Sequence, residues 1–306
     1  MTKKNLILSV VFVSLAILAF VYSGPYKNWQ ENLNKKESFL SEVNLDQVTK
    51  YVITNQEEET TLEKQGESLK VAGTKDFYVE ETVKDAFLQV LADAQEKDME
   101  LVSKNKEKRK EFGFSDNEVI KLALLENDNL LVDVLVGEMT NDYQGSYVSE
   151  DDAEKVYAMD VNLKTVLNRD EWRDNNIISA NKEDIEEIRL QYPSREFTVT
   201  KDAETGEWVG TLPYAFTVDP EKMNEILSLM SNLQAVSIPE QNFENTGLDK
   251  HLIIVQVRGE GQDNTLMIGE ANEEGNYYAK RGNSDNIYLI TEAERDLLDK
   301  QIWELK

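Results

Sequence analysis

The sequence predicts an α+β protein in which one N-terminal apolar helix precedes two copies of the same domain, each an antiparallel sheet packed with helices. Three observations carry that prediction. Leu6 to Tyr22 is an uncharged apolar run of 17 residues. Beyond it, landmark residues recur in unbroken order at a spacing of about 130 positions, which is far above the period of solenoid repeats. Within each recurrence, apolar alternation of period two gives way to a helical period and then returns.

The apolar run comes first. As a helix it is roughly 25 Å long, close to the lower limit for crossing a bilayer core. Only Ser9 and Ser14 supply polar side chains within it. Lys3 and Lys4 precede it and a long acidic chain follows, so the lysine end stays inside and the remainder lies outside. Val21-Tyr22-Ser23 before Gly24 also has the small-residue character of a signal-peptide cleavage site, and that alternative stays open. Both readings put the bulk of the chain outside the cytoplasm. Residues 1–25 are therefore expected to be a transmembrane anchor, touching the membrane through Leu6 to Tyr22, and the polar residues 26–44 a juxtamembrane stalk.

Two repeats are expected to fill residues 45–176 and 177–306. Trp172 and Trp303 stand 131 positions apart, as do Tyr157 and Tyr288. Gly137 in VLVGE matches Gly269 in LMIGE at 132, Gly113 in EFGF matches Gly247 in NTGL at 134, and Phe77 matches Phe216 at 139. The offset drifts as loop insertions would make it drift. Each copy opens on a strand-like run, VTKYVIT at 48–54 and IEEIRLQY at 185–192. In the second copy a hairpin follows, REFTVTKD and EWVGTL around the turn Ala203 to Gly206. Next comes an amphipathic helix, with Phe87, Leu88, Val90, Leu91 and Ala94 on one face in copy one and Ile226, Leu227, Leu229, Met230 and Leu233 in copy two. Asp219-Pro220 marks the start of the second of these as an N-cap and a first-turn proline. After the Gly113 or Gly247 turn, EVIKLALL pairs with LLVDVLVG and HLIIVQVR with TLMIG. Short strands around Tyr147 and Tyr157, or Tyr278 and Tyr288, complete a meander, and NLKTVLNR or TEAERDLLDKQI closes each copy as a helix.

Composition excludes several functions. With 59 acidic against 33 basic residues the net charge is −26, which repels phosphate backbones and anionic lipid head groups, so no nucleic-acid partner is expected. The chain has no cysteine, which removes disulfides, lipobox acylation, thiolate metal sites and cysteine nucleophiles. The single histidine, His251, lacks the partners a zinc site or a triad requires and reads as structural. Paired acids such as Glu57-Glu58-Glu59, Asp151-Asp152 and Glu273-Glu274 are too common to single out one hydrolase pair. The turns NDNLLVD and NEEGN fail calcium-loop spacing, and Gly259-Glu260-Gly261 lacks the third glycine of a phosphate loop. Trp172-Arg173-Asp174 reads first as a tryptophan capping the core and second as a docking epitope. No catalytic, cofactor-binding or metal residue is expected, and no cofactor.

Gly113, Gly137, Tyr147, Val148, Val156, Tyr157, Leu167, Trp172, Arg173 and Asp174 together resemble the bacterial DUF4340 family. The second copy keeps Gly247, Gly269, Tyr278, Ile287, Tyr288 and Trp303 but carries Glu304 where the arginine stands in the first. The resemblance spans roughly residues 45 to 306 in tandem. It implies an accessory component of ABC-type export systems, with a permease, an ATPase or an envelope component as partner, and it assigns no catalytic residue. The expected function is a non-catalytic, single-pass, extracytoplasmic interaction protein of the cell membrane. The alternative is an extracytoplasmic protein that binds a solute or cell-wall fragment, with an envelope hydrolase third.

Overall fold

The computed structural model describes residues 11–17, 19, 35–56, 58–115, 117–150 and 154–306. Most of the expected anchor, Leu6 to Tyr22, lies outside them; residues 11–17 are helical. Among the described residues no helix is long and apolar enough to cross a membrane. The chain forms two compact units, one of residues up to Ala72 together with Val79–Trp172, the other of Gly73–Tyr78 with Arg173–Lys306.

The first unit contains β1 (Lys35–Lys36), β2 (Lys50–Asn55), β3 (Glu58–Gln65), β4 (Ser68–Val71), α1 (Glu81–Glu96), β5 (Met99–Ser103), β6 (Ile120–Glu126), β7 (Asn129–Met139), β8 (Ser146–Ser149), β9 (Val156–Met159) and α2 (Leu163–Leu167). Its antiparallel sheet runs β1-β5-β9-β8-β7-β6-β2-β3-β4. Alternation decides the faces: Tyr51 and Ile53 of β2 and Ile120, Leu122 and Leu124 of β6 are buried. Against them α1 buries Phe87, Val90, Leu91 and Ala94. An edge-to-face aromatic row ties sheet, helix and closing segment together, with Tyr51–Phe87 centroids 5.1 Å apart and Phe87–Trp172 5.5 Å.

The second unit contains β10 (Asn176–Ile178), β11 (Ile185–Tyr192), β12 (Arg195–Lys201), β13 (Trp208–Leu212), β14 (Phe216–Thr217), α3 (Pro220–Ser231), β15 (Leu233–Gln234), β16 (Ile253–Gly259), β17 (Gln262–Ala271), β18 (Tyr277–Arg281), β19 (Tyr288–Ile290) and α4 (Glu292–Leu298). Its main sheet runs β14-β13-β12-β11-β16-β17-β18-β19, and β10 pairs with β15 beside it. A bridge from Ser237 to Leu289 puts the segment after β15 next to β19, the place that β5 holds beside β9 in the first unit. The strand orders of the two units therefore correspond from β4 and β13 through to β5 and that segment, while β1 and β14 are each an extra edge strand of one unit. Asp219 caps α3 as its sequence requires, accepting from Glu221 N at 2.8 Å and Lys222 N at 3.3 Å, with Pro220 in the first turn. Leu233, expected on the face of this helix, instead opens β15, because α3 ends at Ser231.

The landmark glycines have one physical cause. A Cβ on Gly137 would stand 2.1 Å from Phe112 O, and one on Gly269 would stand 2.1 Å from Thr246 O. The turns that press on these strands carry the other pair, Gly113 at φ +78° and Gly247 at φ +66°, a region side chains disfavour. Glu270 N donates to Thr246 O across the crossing at 2.7 Å. Turn and strand thus meet backbone to backbone in both units.

Two segments fold differently from the sequence expectation. Residues 35–44, expected in the stalk, belong to the first unit: β1 pairs with β5, Leu40 and Val43 are buried, and the Gln95 amide donates to both of their carbonyls. A charged two-residue strand and two isolated apolar residues leave no periodicity to read. Gly73–Tyr78, in the sequence of copy one, is built into the second unit. Phe77 is buried there edge-on to Tyr288 at 5.6 Å, Asn286 donates to Asp76 O, and Asp174 N donates to Tyr78 O.

Gly137→Ala and Gly269→Ala are each expected to destabilise the protein by about 3 kcal/mol, since a backbone oxygen cannot swing aside. Gly66→Ala, strained only by its φ with no atom near its Cβ, is expected to cost about 1 kcal/mol. Chemical denaturation of the three variants checks the ranking.

Candidate functional site

At one end of the second sheet the chain reverses between β11 and β12 through Pro193 and Ser194, so Arg195 and Glu196 begin β12 beside the C-terminal segment. Arg195 is held firmly. Its guanidinium lies 3.7 Å from the Tyr192 ring centroid, pairs with Asp299 and donates to Lys300 O at 3.2 Å. The Tyr192 hydroxyl donates to Leu298 O and accepts from Lys300 N at 3.0 Å, and burial pushes its phenol up to about 12.

The C-terminal turn Ile302–Glu304 is fixed on its other side as well. Leu305 is buried and its carbonyl accepts from Asp219 N at 2.7 Å, while Glu304 accepts from Gln301 N at 2.7 Å. With Leu305 turned inward, Trp303 is turned outward and is 72% exposed. Across the gap, Leu212-Pro213 is a cis peptide, and Leu212 and Tyr214 are 50% and 52% exposed. The Lys306 ammonium stands 5.4 Å from the Tyr214 ring centroid.

These groups enclose an open groove of about 540 Å³, lined by Arg195, Glu196, Pro213, Tyr214, Gln301 and Trp303 among others. Glu196 accepts from Arg189 at 2.9 Å and from Gln191 at 3.0 Å, and these bonds hold its carboxyl below the usual range. The floor is therefore pre-ordered and the aromatic rims face solvent. Such a groove suits recognition of a surface by stacking and charge-assisted hydrogen bonds.

The residues weighed from sequence fall elsewhere. His251 is exposed, in a left-handed conformation at φ 49° after the Leu248–Lys250 turn. Among the described residues no three His, Cys, Asp or Glu side chains are placed to hold a metal ion. Glu273 and Glu274 sit exposed in the β17–β18 turn, and Gly261, at φ +70°, turns the β16–β17 hairpin. Glu57, Asp151 and Asp152 lie outside the described residues. Trp172 is buried at 4% exposure, as the core-capping reading required, and Asp174 accepts from Asn176 N at 2.9 Å. Trp303, its match at 131 positions, has the opposite environment, which sequence reasoning missed. One signal stood in the sequence, Glu304 replacing arginine; the offset widening from 137 at Thr61/Thr198 to 139 at Phe77/Phe216 is already complete at Val71/Gly210 and so falls in the β12–β13 turn, away from Pro213 and Tyr214.

The two units define a tandem protein of one α+β fold, used twice with different surfaces. A family model described as Domain of unknown function (DUF4340) matches residues 71–239 and 208–305, and the chain belongs to that family. No curated protein matches the chain, and no solved structure does.

The two tryptophans give a direct test. Trp172→Ala is expected to cost about 3–5 kcal/mol through the cavity it leaves, whereas Trp303→Ala should change stability by less than about 0.5 kcal/mol. Thermal unfolding of both variants beside the parent measures the difference.

Proposed function

We propose that the protein is a non-catalytic, membrane-anchored accessory protein whose two domains lie outside the cytoplasm and which docks onto an ABC-type transport system through the Trp303 groove. The observation that carries this reading is the composition of the groove. Tryptophan, tyrosine and arginine are the residues that dominate binding energy at protein interfaces, and here Trp303, Tyr214 and Arg195 line one open groove. An exposed tryptophan beside an exposed tyrosine and leucine is costly to keep in water unless a partner covers it. The anchor rests on Leu6 to Tyr22 and the orientation on Lys3 and Lys4; the transport partner rests on what family resemblance implies.

Orientation is testable because the chain has no cysteine. A single cysteine introduced at exposed Glu204 is expected to react with a membrane-impermeant maleimide in intact cells. Labelling only after lysis would overturn the topology. Partnership is tested by crosslinking the tagged full-length protein in its native membranes and identifying what co-purifies. A permease or ATPase of an ABC system is expected, with recovery falling about tenfold for Trp303→Ala, the equivalent of about 1.4 kcal/mol. Recovery of background proteins alone, or equal recovery with the variant, would count against docking through this groove.

A further inference from the structure

The second unit contains a second cavity, of about 400 Å³, lined chiefly by Gln191, Gln256, Asn264, Thr265, Arg281 and Asn283, with Ile178, Ile254 and Met267 as its apolar part. None of its lining residues lines the Trp303 groove. A row of paired residues crosses the sheet here: Thr198, Arg189, Gln256 and Thr265, on β12, β11, β16 and β17. Alternation turns this row away from the buried Val199, Ile188, Val255 and Leu266. Of the lining residues, Gln256 Oε1 and Arg281 Nε are buried without a hydrogen-bond partner. Buried polar atoms are rarely left so, and each such atom calls for an explanation.

The first unit serves as an internal control. Ile120 pairs with Val136 just before Gly137, and Ile253 pairs with Ile268 just before Gly269. Three residues on from each isoleucine stand Ala123 and Gln256, so these occupy one register position. The row in the first unit reads Thr61, Val52, Ala123 and Asp133. The same scaffold thus takes Val-Ala in one copy and Arg-Gln in the other. Arg189 has Glu196 as its partner in the second unit, but the sheet does not need a glutamine at this place, and the presence of Gln256 answers to something other than folding.

The chemistry of the lining selects the ligand. Amide and hydroxyl groups offer donors and acceptors side by side. The only charged side chains in the lining, Asp263 and Arg281, are of opposite sign, and Asp263 already faces Arg258 at 3.6 Å. The two charges of the lining sum to zero, so a ligand bearing net charge would lose its hydration without a matching net charge in the lining. Neighbouring hydroxyls on a ring both donate and accept, and the C–H faces of such a ring suit Ile254 and Met267. We propose that this cavity binds a neutral saccharide unit, with Gln256, Gln191 and Arg281 as its hydrogen-bonding residues. The proposal does not rest on docking through the Trp303 groove.

The test is calorimetric titration of the full-length protein in detergent with cellobiose and N,N′-diacetylchitobiose, using gluconate and glucosamine as charged comparators. Saturable binding of at least one neutral disaccharide is expected, with both comparators weaker. Gln256→Ala, which installs the residue the first unit already carries, is expected to weaken that binding at least tenfold while leaving the melting temperature unchanged or higher. Trp303→Ala is expected to leave the affinity as it was. The proposal is overturned if neither neutral sugar binds saturably, if Gln256→Ala binds as tightly as the parent, or if a charged comparator binds more tightly than both neutral sugars.

Discussion

A carbonyl oxygen pressed against an α-carbon governs the layout of both units. Phe112 O against Gly137 and Thr246 O against Gly269 leave no room for a side chain, so the turn before β6 or β16 lies directly on the backbone of β7 or β17. This closeness fixes where the central hairpin begins. Once it is set, the pairing of Ile120 with Val136 and of Ile253 with Ile268 follows, and a slip of one residue would turn every core side chain to the other face. The left-handed glycines, Gly113 and Gly247, complete the same joint from the turn side. Four glycines therefore hold a register that the apolar residues alone would specify less sharply, and they recur because each copy has to solve the same packing problem.

Much of this was legible before any coordinates. Alternating runs such as IEEIRLQY, the Asp219-Pro220 helix start and the drifting offset of the landmarks all report local physics, and they placed the central strands and both long helices. What was illegible was tertiary. Lys35–Lys36 pairs with β5 through backbone alone and shows no apolar pattern, so it resembled a stalk. Leu233 fits the periodicity of the preceding helix yet begins a strand once α3 ends. Phe77 aligns with Phe216 and shares its chemistry, but no property of the sequence around it tells which unit's core it enters. At the candidate site, Trp303 looked like a copy of Trp172, because identity at a matched position says nothing about which neighbouring residue, here Leu305, takes the buried place.

The differences between the copies are more informative about function than what they share. The shared features, glycine joints, helix faces and buried tyrosines, are those the fold requires. Trp172 is packed on Phe87 while Trp303 faces water. Val52 with Ala123 is replaced by Arg189 with Gln256. Both departures occur in the second unit, and both make it locally less favourable by ordinary folding criteria: an aromatic exposed in one case, polar atoms buried without partners in the other. Positions where a chain breaks local rules that its own duplicate obeys are where demands other than stability are to be sought.

Charge sharpens the point. At −26 overall the surface discourages association with other acidic surfaces, so a specific contact has to be won by short-range forces. The groove supplies such forces: an arginine immobilised against Tyr192 and Asp299, a glutamate ordered by Arg189 and Gln191, and aromatic faces turned to solvent. Holding Arg195 and Glu196 in place before any partner arrives removes part of the ordering cost of binding. The hydrogen bond from Gln191 to Glu196 also joins the lining of the polar cavity to the floor of the groove. A ligand that redirected the Gln191 amide would withdraw one of the two donors that order Glu196, so occupancy of the cavity and the geometry of the groove share a single side chain.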